Sequence, residues 1–169
     1  MKRTLFILLI IMATLFLMPA QLGVAQVDSE QEWITLCTPP DAIDMTDMTL
    51  YWQNDNLQFP ADPYAKLSLY VNAQKDADGY FMFDDGQDWL VVMETASGDY
   101  PLFPRQYVQI GKVSCTSLID SSDVYHVLVT IKQSAAYTIY DCVYNSDKQA
   151  FERVNVLDFS GINLIGSSD

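Results

Sequence analysis

Two acidic turns carry the residues of this sequence that are best suited to metal chemistry: residues 75–79 (KDADG) and residues 84–88 (DDGQD). Calcium prefers six to eight oxygen ligands, which closely spaced carboxylates and loop carbonyls supply, so Asp84, Asp85 and Asp88 are candidate calcium ligands. The extended residues between the turns span about 16 Å, so the turns cannot share one ion. The alternative, which we favour, is that each Asp-Gly pair closes a β-hairpin. We expect no other cofactor.

Several large aromatic side chains lie in or beside predicted turns, where their rings could stack on the faces of sugars. Trp52, Trp89, Tyr100 and Tyr107 fit this description, and the last three are our candidate ligand-binding residues. Secreted β-sandwiches often bind carbohydrate in this way, which is an argument from fold alone. The favoured alternative is that these rings pack in the core or cap the ends of a sandwich, because large aromatic side chains normally contribute burial energy.

His126 is the only histidine and the obvious candidate for acid–base chemistry. A nucleophile would have to approach the same face of its strand, but the predicted alternation points Cys142 to the other side, and no Gly-x-Ser-x-Gly elbow occurs. We therefore predict a surface ion pair with Asp141 rather than a catalytic dyad. Hydrolysis by paired carboxylates has many candidate Asp residues, but nothing in the sequence selects two of them.

The three cysteines, Cys37, Cys115 and Cys142, are candidates for a disulfide. One bond and one leftover thiol is the default for an exported protein, and three reduced, buried thiols are the alternative. The sequence does not assign the pair. The cysteine spacing matches no zinc motif, and a single histidine is available to complete such a site.

Residues 1–25 predict a cleaved signal peptide. Two basic residues precede an apolar run over residues 5–18, which Pro19 and a small-residue site, GVA at 23–25, follow. A retained membrane anchor is the competing interpretation, but the run is shorter than the roughly 20 residues that a bilayer span needs. We expect one secreted or extracytoplasmic domain over residues 26–169, with no stable membrane span after cleavage.

The chain is strongly acidic, with 22 Asp and Glu against 9 Lys and Arg and a net charge of −13. Cleavage removes two cations and no acid, which takes the mature protein to −15. Such a surface repels nucleic acid and anionic lipid headgroups and favours cationic ligands. We therefore expect a protein or carbohydrate partner and no nucleic acid.

Composition and spacing both predict an all-β chain, since ten Tyr, eight Phe and many β-branched residues suit pleated sheets. Residues 80–112 read as a central β-meander, in which the continuously apolar residues 90–93 predict a strand buried on both faces. Residues 66–72 alternate as a strand does, although a helix over 62–74 is the alternative. About nine or ten short strands favour an antiparallel two-sheet β-sandwich over a small β-barrel or an α+β fold with that helix.

Other segments read as single strands or hairpins. Residues 49–52 and 57–59 flank a polar turn and predict a hairpin, while residues 106–115 predict one continuous strand. Residues 33–37 predict a first strand and residues 162–165 a final one. All of these elements are short, as expected for an all-β domain.

The last third of the sequence allows a prediction of strand register. A four-residue loop would pair Val127 with Cys142 and Val129 with Tyr140, which places the two apolar faces on the same side. A second hairpin that follows would place Val154 on the core face of the next strand.

On the outer face of the first of these hairpins, Leu128, Ile139 and Val143 form an apolar patch. Such a patch on a soluble monomer usually marks a contact. We predict that the N-terminal segment covers the patch and is fastened through Cys37.

These features predict an exported all-β domain that acts as a non-catalytic binding or structural module for a protein or carbohydrate ligand. The alternative is a small secreted hydrolase or inhibitor with loop-borne acidic residues. A closed sandwich without a cleft argues for the module, whereas a cleft with converging carboxylates argues for the enzyme.

Overall fold

The computed structural model of the protein describes residues 32–38, 43–134 and 136–160. The predicted signal peptide and the predicted final strand at 162–165 lie outside these ranges. No helix occurs within them, and hence none that could cross a bilayer. The strands are β1 (Glu32–Thr35), β2 (Thr49–Asn54), β3 (Lys66–Val71), β4 (Gln74–Lys75), β5 (Phe81–Met82), β6 (Gly86–Thr95), β7 (Gly98–Gln109), β8 (Gly111–Ile119), β9 (Tyr125–Gln133), β10 (Ala136–Asn145) and β11 (Ala150–Ser160).

The strands form two main antiparallel sheets that share one hydrophobic core. One sheet has five strands in the order β1-β11-β10-β9-β8, the other has four in the order β2-β3-β6-β7, and β4 and β5 form a separate pair. The predicted all-β sandwich is confirmed. The described residues hold eleven strands rather than nine or ten, because β4 and β5 contain only two residues each. The alternative helix over residues 62–74 is wrong, since β3 occupies that stretch.

The hairpin of β9 and β10 has the predicted register. Val127 lies opposite Cys142, and Val129 lies opposite Tyr140. Val127, Val129 and Cys142 are fully buried. The apolar faces of both strands therefore point into the core, as the pleat of a sheet requires.

The prediction that Val154 faces the core is wrong. In the β10–β11 hairpin Phe151 lies opposite Tyr144, and Val154 lies opposite Asp141 on the outer face. Phe151 is completely buried. Because residues three apart in a regular strand point to opposite faces, the burial of Phe151 turns Val154 outward.

β6 is an inner strand of the four-stranded sheet and is buried on both faces, as predicted for residues 90–93. Val91 and Met93 belong to the main core, while Leu90 and Val92 are buried on the other face of the sheet. Leu90 and Val92 lie opposite Tyr70 and Ser68 of β3 on that other face, so they are separated from the main cluster by the sheet itself.

The predicted meander around β6 is wrong at both ends. Phe81 and Met82 form β5, which pairs with β4 and not with β6. At the other end the predicted strand over residues 106–115 breaks at Ile110, whose φ is 46°. The N–H of Ile110 donates to the carbonyl oxygen of Asp85 at 2.6 Å, and the chain passes here from one sheet to the other. A β-branched residue rarely adopts positive φ, so the alternating pattern does not reveal this break.

The predicted hairpin between residues 49–52 and 57–59 is also wrong. β2 pairs with β3, and Gln58 has a φ of 52°. Leu57 and Phe59 are nevertheless buried. These two side chains reach the core from a loop. A short run of alternating apolar residues does not distinguish such a loop from a strand.

The N-terminal segment closes one side of the sandwich. β1 pairs with β11 at the edge of the five-stranded sheet, and the following residues reach the other sheet, where Cys37 and Asp99 exchange backbone hydrogen bonds of 2.7 and 3.0 Å. Gly98 permits this approach, because its φ is 144° and a Cβ atom there would lie 2.6 Å from the carbonyl oxygen of Cys37. We term this side, bounded by β1 and β7, the closed side.

The described part of the N-terminal segment does not cover the outer apolar patch as predicted. β1 extends the edge of the sheet instead of crossing the face that carries Leu128, Ile139 and Val143, and these three side chains are partly buried. Cys37 fastens the segment through its backbone and not through a disulfide, since all three cysteines are free.

Candidate ligand-binding site

The structure does not bring the three predicted aromatic ligand residues together. Trp89 is 0% exposed, and Tyr100 is 4% exposed on the closed side, where its hydroxyl donates to the carbonyl oxygen of Gln149 at 3.2 Å. Burial prevents both rings from contacting a ligand, as the core alternative predicts. Tyr107 is 59% exposed, but it lies apart from them on the outer face of the four-stranded sheet, against Gly86.

The acidic residues of the second turn point in different directions. Asp88 accepts hydrogen bonds from Arg105 at 2.9 Å, the backbone carbonyl of Asp85 accepts a backbone hydrogen bond, and Asp84 lies on the wall of a groove. This turn does not close a hairpin, because Gly86 already begins β6. Nowhere in the described ranges do three or more His, Cys, Asp or Glu side chains converge as a metal site would require.

The first acidic turn closes the β4–β5 hairpin, as the simpler interpretation predicts. Oδ1 of Asp76 accepts hydrogen bonds from the backbone N–H groups of Asp78 and Tyr80, both at 2.9 Å. Gly79 follows with a φ of 87°. The carboxylate of Asp76 therefore stabilises its own turn, as Asp commonly does.

The three cysteines are free thiols, so the predicted disulfide is absent. Cys115 on β8 and Cys142 on β10 are separated by β9, and two strand spacings of about 4.8 Å exceed the roughly 7 Å that a disulfide can bridge. Burial raises the pKa of both thiols to about 12. Both groups therefore stay protonated and unreactive at neutral pH.

His126 contacts Asp141, the partner predicted for it, in a mostly buried contact that is an ion pair only when the imidazole is protonated. Its Nδ1 atom lies 3.0 Å from Oδ2 of Asp141, and its Nε2 atom lies 3.6 Å from Oδ2 of Asp120. Hydrogen bonds from the backbone N–H groups of Val124 and Ser122 are the main reason that the pKa of Asp120 is lowered, with a smaller contribution from the nearby imidazole. This carboxylate therefore orders the β8–β9 turn, and the histidine joins that turn to the sheet.

A groove of about 970 Å³ opens between β2 and β8, the two strands that end the main sheets opposite the closed side. This volume is at the upper end of the range for small-molecule sites. Among the residues that the structure describes, β2 pairs only with β3 and β8 only with β9, so each strand leaves one backbone edge unpaired. We term this feature the β2–β8 groove.

Tyr51 and Trp52 form an aromatic wall of the groove. Trp52 lies opposite the buried Leu69, on the core-facing side of β2, yet it is 39% exposed because the two sheets do not close over it. Tyr51, which is 36% exposed, sits at a register shift between Leu50 and Trp52. Consecutive residues of a regular strand point to opposite faces, so this bulge explains how both rings reach one groove.

Tyr51 is held in place by other aromatic rings. Its ring centroid lies 5.1 Å from that of Phe81, 5.9 Å from that of Phe83 and 5.4 Å from that of Trp89. The contact with Trp89 is edge-to-face, a geometry that stabilises aromatic pairs. Trp89 therefore supports the groove from beneath.

Another part of the groove wall is polar and comes from the five-stranded sheet. It includes Lys112 and Ser114 on β8, Thr130 and Lys132 on β9, and Tyr137 on β10. Lys112 lies opposite Lys132, and Ser114 lies opposite Thr130. Thr130 and Lys132 alternate with the buried Val129 and Ile131, so these ammonium and hydroxyl groups lie on the outer face of the sheet, next to the edge of β8.

Sequence reasoning identified Trp52 among the aromatic candidates but missed Tyr51 and the lysine pair. Two consecutive aromatic residues in a short strand were the available signal, because a bulge is what brings such a pair to one side. The pairing of Lys112 with Lys132 could not be predicted, because the sequence predicts residues 106–115 as one strand and gives that strand no partner.

The chain matches no protein-family model, no curated protein and no solved structure.

Proposed function

We propose that the protein is a non-catalytic carbohydrate-binding module and that the β2–β8 groove holds the sugar chain. The observation that carries this proposal is Trp52, which occupies a core-facing position of β2 but is 39% exposed in the groove. A large ring that a closed sandwich would bury instead presents its surface to solvent. Such a ring supplies contact area with little loss of side-chain entropy on binding.

The composition of the groove suits a ligand that is apolar on its faces and polar at its edges. Sugar rings have this character, with C–H faces and hydroxyl edges. Tyr51 and Trp52 offer stacking surfaces, and the wall also carries the hydroxyl groups of Ser114 and Thr130. A wholly apolar ligand would leave these polar groups without hydrogen-bond partners, which costs free energy.

The geometry favours binding over hydrolysis. Cleavage of a glycosidic bond by paired carboxylates requires two carboxyl groups about 5–10 Å apart. Asp84 is the single acidic side chain on the described wall of the groove. His126 and its carboxylate partners, Asp120 and Asp141, do not line the groove.

A peptide ligand is the second candidate, and the edge of β8 favours it. β8 is nine residues long and pairs with β9 without a register shift, and it contains no proline. The edge strand β7, by contrast, has two register shifts and carries Pro101 and Pro104, features that block strand addition. A regular free edge can accept an extended peptide as a further strand.

Binding to glycan and peptide arrays, followed by calorimetric titration of the best ligand, tests the proposal. We expect a glycan ligand whose affinity falls about tenfold or more in Trp52→Ala, because the stacking surface is lost. Trp33→Ala is the matched control, since Trp33 lies on β1 at the closed side. Thermal unfolding of both variants establishes that each is folded.

Undiminished glycan binding by Trp52→Ala would place the ligand elsewhere and refute the proposed site. Binding of extended peptides, without binding of glycans, would establish the second candidate instead.

A further inference from the structure

Within the described residues, four strands end the two main sheets, and β8 is the one whose free edge has no protection against pairing. β1 has only four residues and continues into the contact with β7. β2 contains a register shift, and β7 contains two register shifts and two prolines. β8 runs for nine residues without a proline or a register shift. Short edges, bulges and prolines prevent a further strand from pairing, and β8 lacks all three.

The backbone of β8 directs alternate residues toward its free edge. In the β8–β9 turn the N–H of Asp120 donates to the carbonyl oxygen of Val124 at 3.0 Å, which makes these two residues a hydrogen-bonded pair. Hydrogen-bonded and non-hydrogen-bonded pairs alternate along an antiparallel ladder. Because β8 and β9 pair without a shift, the N–H and C=O groups of the odd-numbered residues from Val113 to Ile119 point away from β9. They form a regular row that can pair with another strand.

β8 also lies in a part of the sequence without acidic residues. None occurs between Asp99 and Asp120, whereas the whole chain has 22 Asp and Glu in 169 residues. Lys112, near the start of β8, is exposed, and Asp120 directly follows the end of the strand. Opposite charges therefore stand at the two ends of a strand whose middle is uncharged. Antiparallel pairing of two such strands brings each lysine to an aspartate, which is the self-complementarity that a two-fold interface requires.

We infer that β8 is a self-association surface, on which β8 of a second copy of this chain pairs antiparallel about a two-fold axis at Thr116. In this register Lys112 lies opposite Asp120 of the second copy, and Val113 lies opposite Ile119 of the second copy, each twice by symmetry. The free N–H and C=O groups of the two strands then face one another, because odd-numbered residues meet odd-numbered residues. The inference goes beyond carbohydrate binding and does not depend on it.

The side chains of β8 favour this register. On the outer face an opposite-charge pair forms at each end and Thr116 meets its own copy, and both kinds of cross-strand pair are stabilising. On the inner face the apolar side chains of Val113 and Ile119 meet. A shift by one residue would place the free backbone groups of one strand opposite residues whose own groups bond to β9.

Asp120 can make this contact without giving up its role in the β8–β9 turn. Its Oδ1 atom accepts hydrogen bonds from the backbone N–H groups of Ser122 and Val124 at 2.7 and 3.0 Å. Its Oδ2 atom lies 3.6 Å from Nε2 of His126, and the side chain is 39% exposed. Oδ2 can therefore accept a hydrogen bond from the ammonium group of Lys112 of the second copy.

Cysteine cross-linking tests the register. Thr116→Cys places a thiol on the two-fold axis, where the Cα atoms of a non-hydrogen-bonded pair lie about 4.5 Å apart, within the range of a disulfide. Ser114→Cys is the matched control, because Ser114 is exposed on the same face of β8 but lies opposite Leu118 of the second copy. Under mild oxidation we expect a disulfide-linked dimer from Thr116→Cys, and no more from Ser114→Cys than from the native protein. Equal cross-linking of both variants, or the reverse pattern, would overturn the inference.

Sedimentation velocity over a range of protein concentrations measures the association itself. We expect a concentration-dependent dimer at about 0.15 M salt, where repulsion between the acidic copies is screened beyond about 8 Å. Lys112→Glu should raise the dissociation constant about tenfold or more, because each of the two ion pairs becomes a repulsion. Lys148→Glu is the control of equal charge, since Lys148 is exposed in the turn between β10 and β11. A monomer at all concentrations would refute self-association, and equal effects of the two variants would refute the interface at β8.

Hydrogen exchange distinguishes the other occupants of this edge. In a dimer the backbone N–H groups of Cys115 and Ser117 become protected as the protein concentration rises. Their protection in a monomer would assign the edge to another segment of the same chain, and protection only on addition of an extended peptide would assign it to the peptide. Either result would refute self-association through β8.

The outcomes also separate this inference from the proposed function. A monomer that binds glycan through Trp52 would refute the dimer and leave the carbohydrate module standing. A dimer with the expected cross-link that binds no glycan would establish the interface and refute the carbohydrate module.

Discussion

The two sheets meet differently at the two long sides of the sandwich, although each side is bounded by one edge strand from each sheet. On the closed side β1 continues into a backbone contact between Cys37 and Asp99, and Tyr100 is buried with its hydroxyl bonded across to Gln149. On the open side none of the described residues joins β2 to β8 in this way, and Trp52 remains partly exposed.

An aromatic side chain on the core-facing side of an edge strand can therefore belong to the core or line a groove. Where a crossing segment joins the sheets, the ring belongs to the core and contributes to stability. Where the sheets stay apart, the ring lines a groove and can contact a ligand. Substitutions on the closed side should therefore affect folding, and substitutions on the open side should affect binding.

Phe151→Ala should produce the largest loss of stability, about 3–5 kcal/mol, because it empties a fully buried site. The ring of Phe151 lies 5.1–5.8 Å from the rings of Phe59, Tyr100 and Tyr144. Tyr51→Ala also removes three ring contacts, but at a partly exposed site, and should cost only about 1–2 kcal/mol. Denaturant unfolding measures both.

Equal losses for Phe151→Ala and Tyr51→Ala would contradict the distinction between the two sides. If Phe151→Ala does not fold, Phe151→Leu keeps the comparison measurable at a smaller cost.

Gly98→Ala should lower the free energy of unfolding by about 1–3 kcal/mol. Alanine would have to adopt an unfavourable φ there, and its Cβ atom would displace the Cys37 carbonyl. Gly79→Ala is the matched control. Gly79 also has positive φ, but a Cβ atom there meets nothing within 4 Å, so about 1 kcal/mol of backbone strain is expected. The difference in unfolding free energy between the two variants measures the contribution of the close contact between Gly98 and the Cys37 carbonyl. Equal values would show that this contact does not contribute to stability.

Asp62→Asn should produce the smallest effect and should reduce the loss of stability in acid. Hydrogen bonds from the backbone N–H groups of Ala96 and Tyr64 lower the pKa of Asp62 below its ordinary value of 3.8. A carboxyl group with a lower pKa in the folded state stabilises the fold above the unfolded pKa and loses that contribution as pH falls.

An amide accepts at one oxygen only, so Asp62→Asn should lower the Tm at pH 7 and narrow the difference between pH 7 and about pH 3. Asp55→Asn, at an exposed position of the polar turn after β2, is the control. If Asp62→Asn leaves the difference in Tm between the two pH values unchanged, the hydrogen bond from Ala96 in the β6–β7 turn to Asp62 does not contribute to stability.

The sequence predicts the regular parts of this fold well. The register of β9 and β10 follows from alternation and loop length alone, because a one-residue slip would expose Val127 and Val129. The central position of β6 follows from its apolar residues on both faces, and the alternation of Lys66–Val71 favours the strand that the structure shows over the alternative helix.

The irregular parts depend on backbone conformations that side-chain patterns do not encode. Ile110 and Gln58 adopt positive φ without being Gly or Asn, so nothing in their identity predicts the break after β7 or the loop around Phe59. Phe151 and Val154 cannot both face the core in a regular strand, and the structure buries the larger side chain, Phe151.

The candidate site was harder to predict than the fold, because it lies between strands that are distant in sequence. Trp89 and Tyr100 were reasonable aromatic candidates, but Trp89 is buried on an inner strand and Tyr100 is buried on the closed side. Lys112 and Lys132 are twenty residues apart, and they meet only through a β8–β9 register that begins immediately after the break at Ile110.

The most direct test of the open groove uses the indole N–H resonances of the three tryptophans as reporters in a ¹H–¹⁵N titration. Trp52 lines the groove, Trp33 lies on the closed side, and Trp89 is buried beneath Tyr51. On addition of the glycan that binds most tightly on the array, we predict a large, saturable shift of the Trp52 signal, a smaller one for Trp89 and none for Trp33. A shift of Trp33 with Trp52 unmoved would place the ligand on the closed side and contradict the account.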